Sequence, residues 1–123
     1  MILVDTSVWI AHLRWRLPGL ATLLEQGHVL THPFVIGEVA CGQMRQRSEI
    51  LRLLNELPAP VSASHDEVLR MIEDRKLWGK GIGFVDFHLL ASAMLAGCQL
   101  WTTDRRLSAV AADFKLGWRP KPR

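Results

Sequence analysis

Ile2-Leu3-Val4-Asp5-Thr6-Ser7, near the start of the chain, is the stretch on which the fold turns. Ile2-Leu3-Val4 is short, wholly apolar and mostly β-branched, the pattern of a strand buried on both faces of a parallel sheet. The run stops at a carboxylate, Asp5, and helical spacing begins at Val8. Open α/β sheets hold their ligands just beyond the carboxyl ends of their strands. An acid in that position is therefore a candidate site residue. Three further acids share the oddity of lying in or beside apolar sequence: Glu38 within Phe34-Val35-Ile36-Gly37-Glu38-Val39-Ala40, Asp86 within Phe84-Val85-Asp86-Phe87, and Asp104 directly after Leu100-Trp101-Thr102-Thr103.

Outward from this strand, helices and strands alternate. Val8 to Leu13 has the spacing of a short helix. Pro18, after a break at Leu17, suits the first turn of a second helix through Leu24, with Gly27 as its stop. His28 to Thr31 reads as a strand, and a third helix starting at Pro33 carries Glu38 as far as Gly42. Ser48 to Leu57 is helical by spacing. Pro58-Ala59-Pro60-Val61 suits only a short edge strand or an extended link, since proline donates nothing to a ladder. Ser64-His65-Asp66-Glu67 matches a capping box opening a helix that runs toward Leu77. The glycine-dense loop Gly79 to Gly83 leads to an apolar helix from Val85 to Ala96 that Gly97 ends. Gln99 to Thr102 is a strand, Asp104 caps a helix through Ala111, and Phe114 to Leu116 is a candidate final strand. The alternation gives a three-layer α/β/α fold around a mainly parallel sheet of four or five strands. One domain spans residues 1–123, with 119–123 as a flexible basic tail.

The 123 residues suit a single core, and the balance of 49% hydrophobic to 22% charged residues is that of an ordinary globular domain. No apolar run is long enough to cross a membrane. The N-terminus has no basic segment ahead of its apolar run, which argues against a secretory signal and for the cytoplasm. Cys41 and Cys98 lie in apolar helical contexts and read as buried thiols. The net charge of +3 is a mild basic excess, gathered at Arg14-Trp15-Arg16, Arg105-Arg106 and the tail from Arg119. Each is an ordinary solvated surface when taken singly, and together they favour a nucleic-acid partner only slightly.

Each of the four unusual acids has an ordinary explanation. Asp5 and Asp104 suit helix N-caps, and Asp86 suits a first turn. Glu38, among Ile36, Val39 and Ala40, has no obvious solvent face. Gathered in one place they need a cation, because two carboxylates about 4 Å apart repel by roughly 4 kcal/mol at an effective dielectric of about 20. Oxygen donors with no well-placed His or Cys point to Mg²⁺ or Mn²⁺ rather than zinc. Such an ion binds phosphate oxygens and activates water against a phosphodiester. The five histidines form no zinc or nucleophile arrangement, and neither Ser7 nor Ser92 sits in a nucleophile elbow. The tryptophans read chiefly as core or interface.

Asp5-Thr6-Ser7, Glu38 in Pro33-Phe34-Val35-Ile36-Gly37-Glu38, the run Val85-Asp86-Phe87-His88-Leu89-Leu90-Ala91-Ser92-Ala93, and Thr102-Thr103-Asp104 together resemble the four signature segments of the PIN-domain nucleases. The likeness runs from Ile2 to about Phe114 and is closest to the VapC toxins of bacterial toxin–antitoxin pairs. It implies a Mg²⁺- or Mn²⁺-dependent endoribonuclease that cuts tRNA or ribosomal RNA, forms a homodimer and is silenced by a VapB-like antitoxin. By position, Asp5 and Asp86 would be the principal metal ligands, Glu38 and Asp104 would complete the acidic pocket, and Thr6 and Thr103 would be supporting hydroxyls. Trp9, Leu13, Trp15, Leu20 and Leu24 are expected to form the groove for an antitoxin helix. Residues 45–83 carry no signature. The rival readings are a receiver-type phospho-acceptor domain, against which Thr6-Ser7 stand where an acidic pair is expected, and a PIN-fold binding module without catalysis.

Overall fold

The computed structural model describes residues 1–121; Pro122 and Arg123, the end of the expected basic tail, lie outside the described residues. The elements run β1 (Ile2–Val4), α1 (Thr6–Trp15), α2 (Pro18–Glu25), β2 (Val29–Leu30), α3 (Pro33–Ala40), α4 (Arg47–Glu56), α5 (His65–Asp74), α6 (Phe84–Ala96), β3 (Gln99–Trp101) and α7 (Arg105–Asp113). The sheet order is β2-β1-β3, and both pairings are parallel. Leu3 stands opposite Leu30 on one side and Leu100 on the other. Helices cover both faces of this sheet, the three-layer arrangement expected.

Ile2, Leu3 and Val4 are all buried, as their unbroken apolar run requires of a central parallel strand. Helix α6 is buried nearly all round, from Phe87 to Ala93, which is why its sequence shows so little polar face. Its one buried hydroxyl, Ser92, is satisfied by the backbone amide of Ala63 at 3.1 Å. Gly97 ends the helix in the left-handed conformation, φ 67°, where a side chain would be strained. The capping box at Ser64 is fully formed, with Ser64 and Glu67 each bonded to the other's backbone amide.

Several expectations need correcting. Among the described residues the sheet has three strands, not four or five. Pro58–Val61 contributes only the Pro58 carbonyl, which accepts from Thr31, and Phe114–Leu116 gives way to a single bridge between Leu100 and Gly117. The prolines and the short approach of the chain to β3 leave no room for a longer ladder. Helix α1 starts two residues early, at Thr6, and α5 stops at Asp74 short of Leu77. Cys98 is buried, but Cys41 is exposed. The expected antitoxin groove is redistributed: Trp9 and Leu20 belong to the core, while Ile10, Leu13 and Trp15 face outward. No helix among the described residues is long and apolar enough to cross a membrane.

Leu3 touches both flanking strands and has no exposed surface. Leu3→Ala should therefore cost about 3–5 kcal/mol. A urea titration should show a lower midpoint at an unchanged slope; a midpoint like wild type would mean the sheet does not depend on this layer.

Candidate active site

Because β1 is flanked by β2 on one side and β3 on the other, the chain reverses its direction of travel across the sheet at β1. The crevice at such a switch point is where α/β sheets bind ligands. Asp5 sits there, 4% exposed. Its amide extends the ladder by donating to the Trp101 carbonyl at 2.9 Å, and its carbonyl accepts from Val8 and Trp9 at the start of α1. Its side chain makes no cap bond, so the helix-cap explanation of Asp5 does not hold. Instead Oδ2 accepts from the Ser7 hydroxyl and from the Thr102 hydroxyl, each at 2.7 Å.

The same hydroxyls bind the opposite wall in place. Thr102 Oγ1 accepts from the Asp104 amide at 3.1 Å, and Ser7 Oγ accepts from the Thr103 amide at 3.1 Å. Thr6 reaches sideways and donates to Glu38 Oε1 at 2.8 Å, tying α1 to α3. Asp104 does serve as the cap of α7, Oδ1 accepting from the Leu107 amide at 2.9 Å. Its other carboxylate oxygen has no hydrogen bond among the described residues.

Glu38 and Asp104 are both exposed, so the expectation that Glu38 lacks a solvent face fails. They open onto the crevice rather than into the core. Asp86 lies half-buried in the first turn of α6. A helix N-terminus by itself would favour its charged form, yet its pKa is pushed up from 3.8 to about 6. Burial is the largest cause, followed by the charges of Asp5, Glu38 and Asp104. Three carboxylates from three other parts of the fold thus act on Asp86.

Sequence reading missed two members of this cluster. Ser7 and Thr102 orient Asp5, and Thr102, not Thr103, supplies the hydroxyl from that segment; Thr103 contributes its backbone amide. Both belong to the quoted segments, but small hydroxyl residues beside a helix start look like ordinary turn residues. His32 has a supporting part that its sequence context does not announce. It is buried, its Nδ1 accepts from the Phe34 amide at 3.0 Å, and it therefore caps the helix that presents Glu38. Burial, with the neighbouring His88, lowers its pKa to about 4, so it stays neutral.

The donor set suits a hard divalent ion: oxygen only, with burial and three neighbouring charges raising the pKa of Asp86. Among the described residues, no three His, Cys, Asp or Glu side chains stand close enough to hold one ion between them. An ion here would take one or two carboxylates directly and fill its shell with water, as Mg²⁺ commonly does.

The family model for the PIN domain matches residues 2–113. Ribonuclease VapC32 of Mycobacterium tuberculosis, from strain CDC 1551 / Oshkosh and from strain ATCC 25618 / H37Rv, is 49% identical over 114 residues, which cover 92% of this chain and 92% of each relative. The crystal structure of PAE2754 from Pyrobaculum aerophilum superimposes with a TM-score of 0.60 at 22% identity, over 88% of this chain and 77% of that one. That likeness concerns the fold.

With its pKa raised, Asp86 binds a proton more tightly in the folded than in the unfolded chain. Its contribution to stability is therefore present below pH 3.8 and is lost as the pH rises through about 6. In EDTA near pH 7.5, Asp86→Asn should melt above wild type by about 3–5 °C, equivalent to ~1 kcal/mol. The gain should vanish below about pH 4. Calorimetry across that range checks both, and identical melting at the higher pH would show that neither burial nor the other acids disfavour the charged form of Asp86.

Proposed function

The chain belongs to the PIN-domain family, and from its close kinship to VapC ribonucleases we propose how its acids serve RNA cleavage. It is the toxin endoribonuclease of a toxin–antitoxin pair, with RNA as substrate, a VapB-type antitoxin as partner and a divalent metal as cofactor. The metal is Mg²⁺ or Mn²⁺, the RNA is tRNA or ribosomal RNA, and the working unit is a cytoplasmic homodimer. Asp5 and Asp86 are the principal ligands, with Glu38 and Asp104 completing the acidic wall. The observation that carries this reading is the raised pKa of Asp86, since three other acids from separate elements contribute to it.

A bound divalent ion would supply a charge to offset phosphate oxygens and a water acidic enough to attack phosphorus. The chain's own residues prepare for that. Ser7 and Thr102 fix Asp5 Oδ2 with two short hydrogen bonds, so this carboxylate needs no reorientation when the cation arrives. Thr6 does the same for Glu38. Asp86 gives up its proton above about pH 6, so metal capture strengthens as pH rises through that value. Asp104 keeps one oxygen for the α7 cap and presents the other to the crevice. The antitoxin helix is assigned to the exposed apolar surface of Ile10, Leu13 and Trp15.

Asp5→Asn and Asp86→Asn should each reduce Mg²⁺-dependent RNA cleavage to background and relieve growth arrest on induction. Thr6→Val, which frees Glu38 but leaves every acid in place, should lose about 10-fold. Gel assays of the purified proteins, with and without EDTA, measure all three. Cleavage undiminished by both Asn variants, or undisturbed by chelator, would defeat this assignment.

A further inference from the structure

A second cleft lies behind the acidic wall, of about 440 Å³, and it is lined by Trp101, Thr102, Thr103, Arg105, Ser108 and Arg119 among others. Thr102 belongs to both places: its hydroxyl donates to Asp5, and it is among the residues that line the cleft. The two chemistries differ sharply. The acidic crevice gathers carboxylates, while the cleft is lined by Arg105 and Arg119 together with Thr103 and Ser108. Neither Arg105 nor Arg119 has an ion pair or a side-chain hydrogen bond among the described residues, whereas Arg52 pairs with Glu56 and Arg106 reaches the Gly81 carbonyl. Two guanidinium groups in one cleft, neither of them paired among the described residues, favour an anion there.

The fold goes to some length to bring Arg119 there. After α7 the chain returns to β3, where the Trp118 amide donates to the Leu100 carbonyl at 3.0 Å. The Trp118 ring packs against Trp101, centroids 4.8 Å apart. Pro120 presses onto α2 at Gly19, where an added Cβ would lie 3.2 Å from the proline ring. Residues on both sides of Arg119 are thus fastened, and the guanidinium is delivered to a fixed neighbourhood opposite Arg105.

We propose that this cleft binds a backbone phosphate of single-stranded RNA next to the one being cut, Arg105 and Arg119 holding it as charged hydrogen-bond donors. The proposal rests on the ribonuclease reading, which supplies the polyanion and places the scissile phosphate across Thr102. It also resolves a difficulty of that reading, since an acidic crevice alone repels the strand it must hold. Neither arginine reaches the reacting atoms; they are binding residues. The other candidate occupant is an acidic side chain of the antitoxin.

The test compares wild type with Arg105→Gln, Arg119→Gln, the double variant, Arg119→Lys, and Arg52→Gln as a remote control. Both arginines of the cleft are exposed, so these proteins should fold. For a short fluorescein-labelled single-stranded RNA at about 0.1 M salt, the double variant should raise KM roughly 10-fold with kcat held within about 2-fold. The slope of log KM against log salt should become shallower by about 0.7 for each phosphate that is no longer neutralised. Arg119→Lys should keep the slope, and Arg52→Gln should match wild type throughout. Wild-type KM and slope in the double variant would overturn the proposal, as would a loss confined to kcat. Loss of antitoxin binding with RNA binding intact would assign the cleft to the protein partner and also overturn it. Anisotropy of the same RNA in EDTA separates the two levels. If wild type cuts nothing with either metal, the nuclease reading falls, and the salt slope of binding still decides the cleft.

Discussion

The mutual repulsion of the acids beyond β1 is the constraint around which the structure is arranged. The charges of Asp5, Glu38 and Asp104 each disfavour the ionised form of Asp86, a cost set against a total stability for a domain of about 5–15 kcal/mol. Two features contain that cost. Glu38 and Asp104 stand on exposed positions where water screens them, and Asp86 holds its proton up to about pH 6. Only Asp5 is both buried and held by two hydroxyl donors. The apolar core behind it, from Leu3 to Leu89 and Leu100, supplies the stabilisation that lets the crevice remain charged.

Each acid arrives on a different element, so their separation depends on how helices pack on the sheet. The parallel sheet order β2-β1-β3 sets Asp5 and Thr102 side by side at the ends of neighbouring strands. Thr6 fixes α3 against α1, and His32 caps α3 at the N-terminal end of the helix that carries Glu38. Arg106, through the Gly81 carbonyl, joins α7 to the loop ahead of α6. Gly81 has φ 75°, the left-handed conformation that favours glycine. Small hydroxyls and backbone groups, rather than salt bridges, hold the crevice together; a cationic clamp would have neutralised the potential that a metal requires.

What is legible in the sequence follows from period and placement. A wholly apolar three-residue run ending in Asp5 reads as a central strand with a ligand position after it, and the four acids stand out because their neighbours are apolar. Glu38 misleads, since Ile36 and Val39 suggest a buried face while the helix turns the carboxylate outward between them. The Thr102 and Ser7 hydroxyls stay hidden because their importance lies in contacts between residues far apart in the chain. Strand number fails for a related reason. Phe114–Leu116 has strand-like composition, but the chain needs only one bridge at Gly117 to close against β3. Cys41 looks apolar in context and lies at the exposed C-terminal end of α3.

The chain past α7 carries the last step. A basic segment at a terminus reads as a solvated tail, and nothing local in Gly117-Trp118-Arg119-Pro120 says otherwise. The information lies in its partners: Trp101 packs at a tilt against Trp118, Leu100 accepts its amide, and Gly19 leaves room for Pro120. A segment fastened at three points loses conformational freedom, a cost of about 1–2 kcal/mol per residue, which buried tryptophan surface offsets. Arg119 and Arg105 line one cleft together with Thr102, whose hydroxyl holds Asp5 of the acidic crevice. Side chains that attract the polyanion then never neutralise the acids that must attract the metal. One threonine wall keeps two opposed electrostatic tasks within a few ångströms of each other.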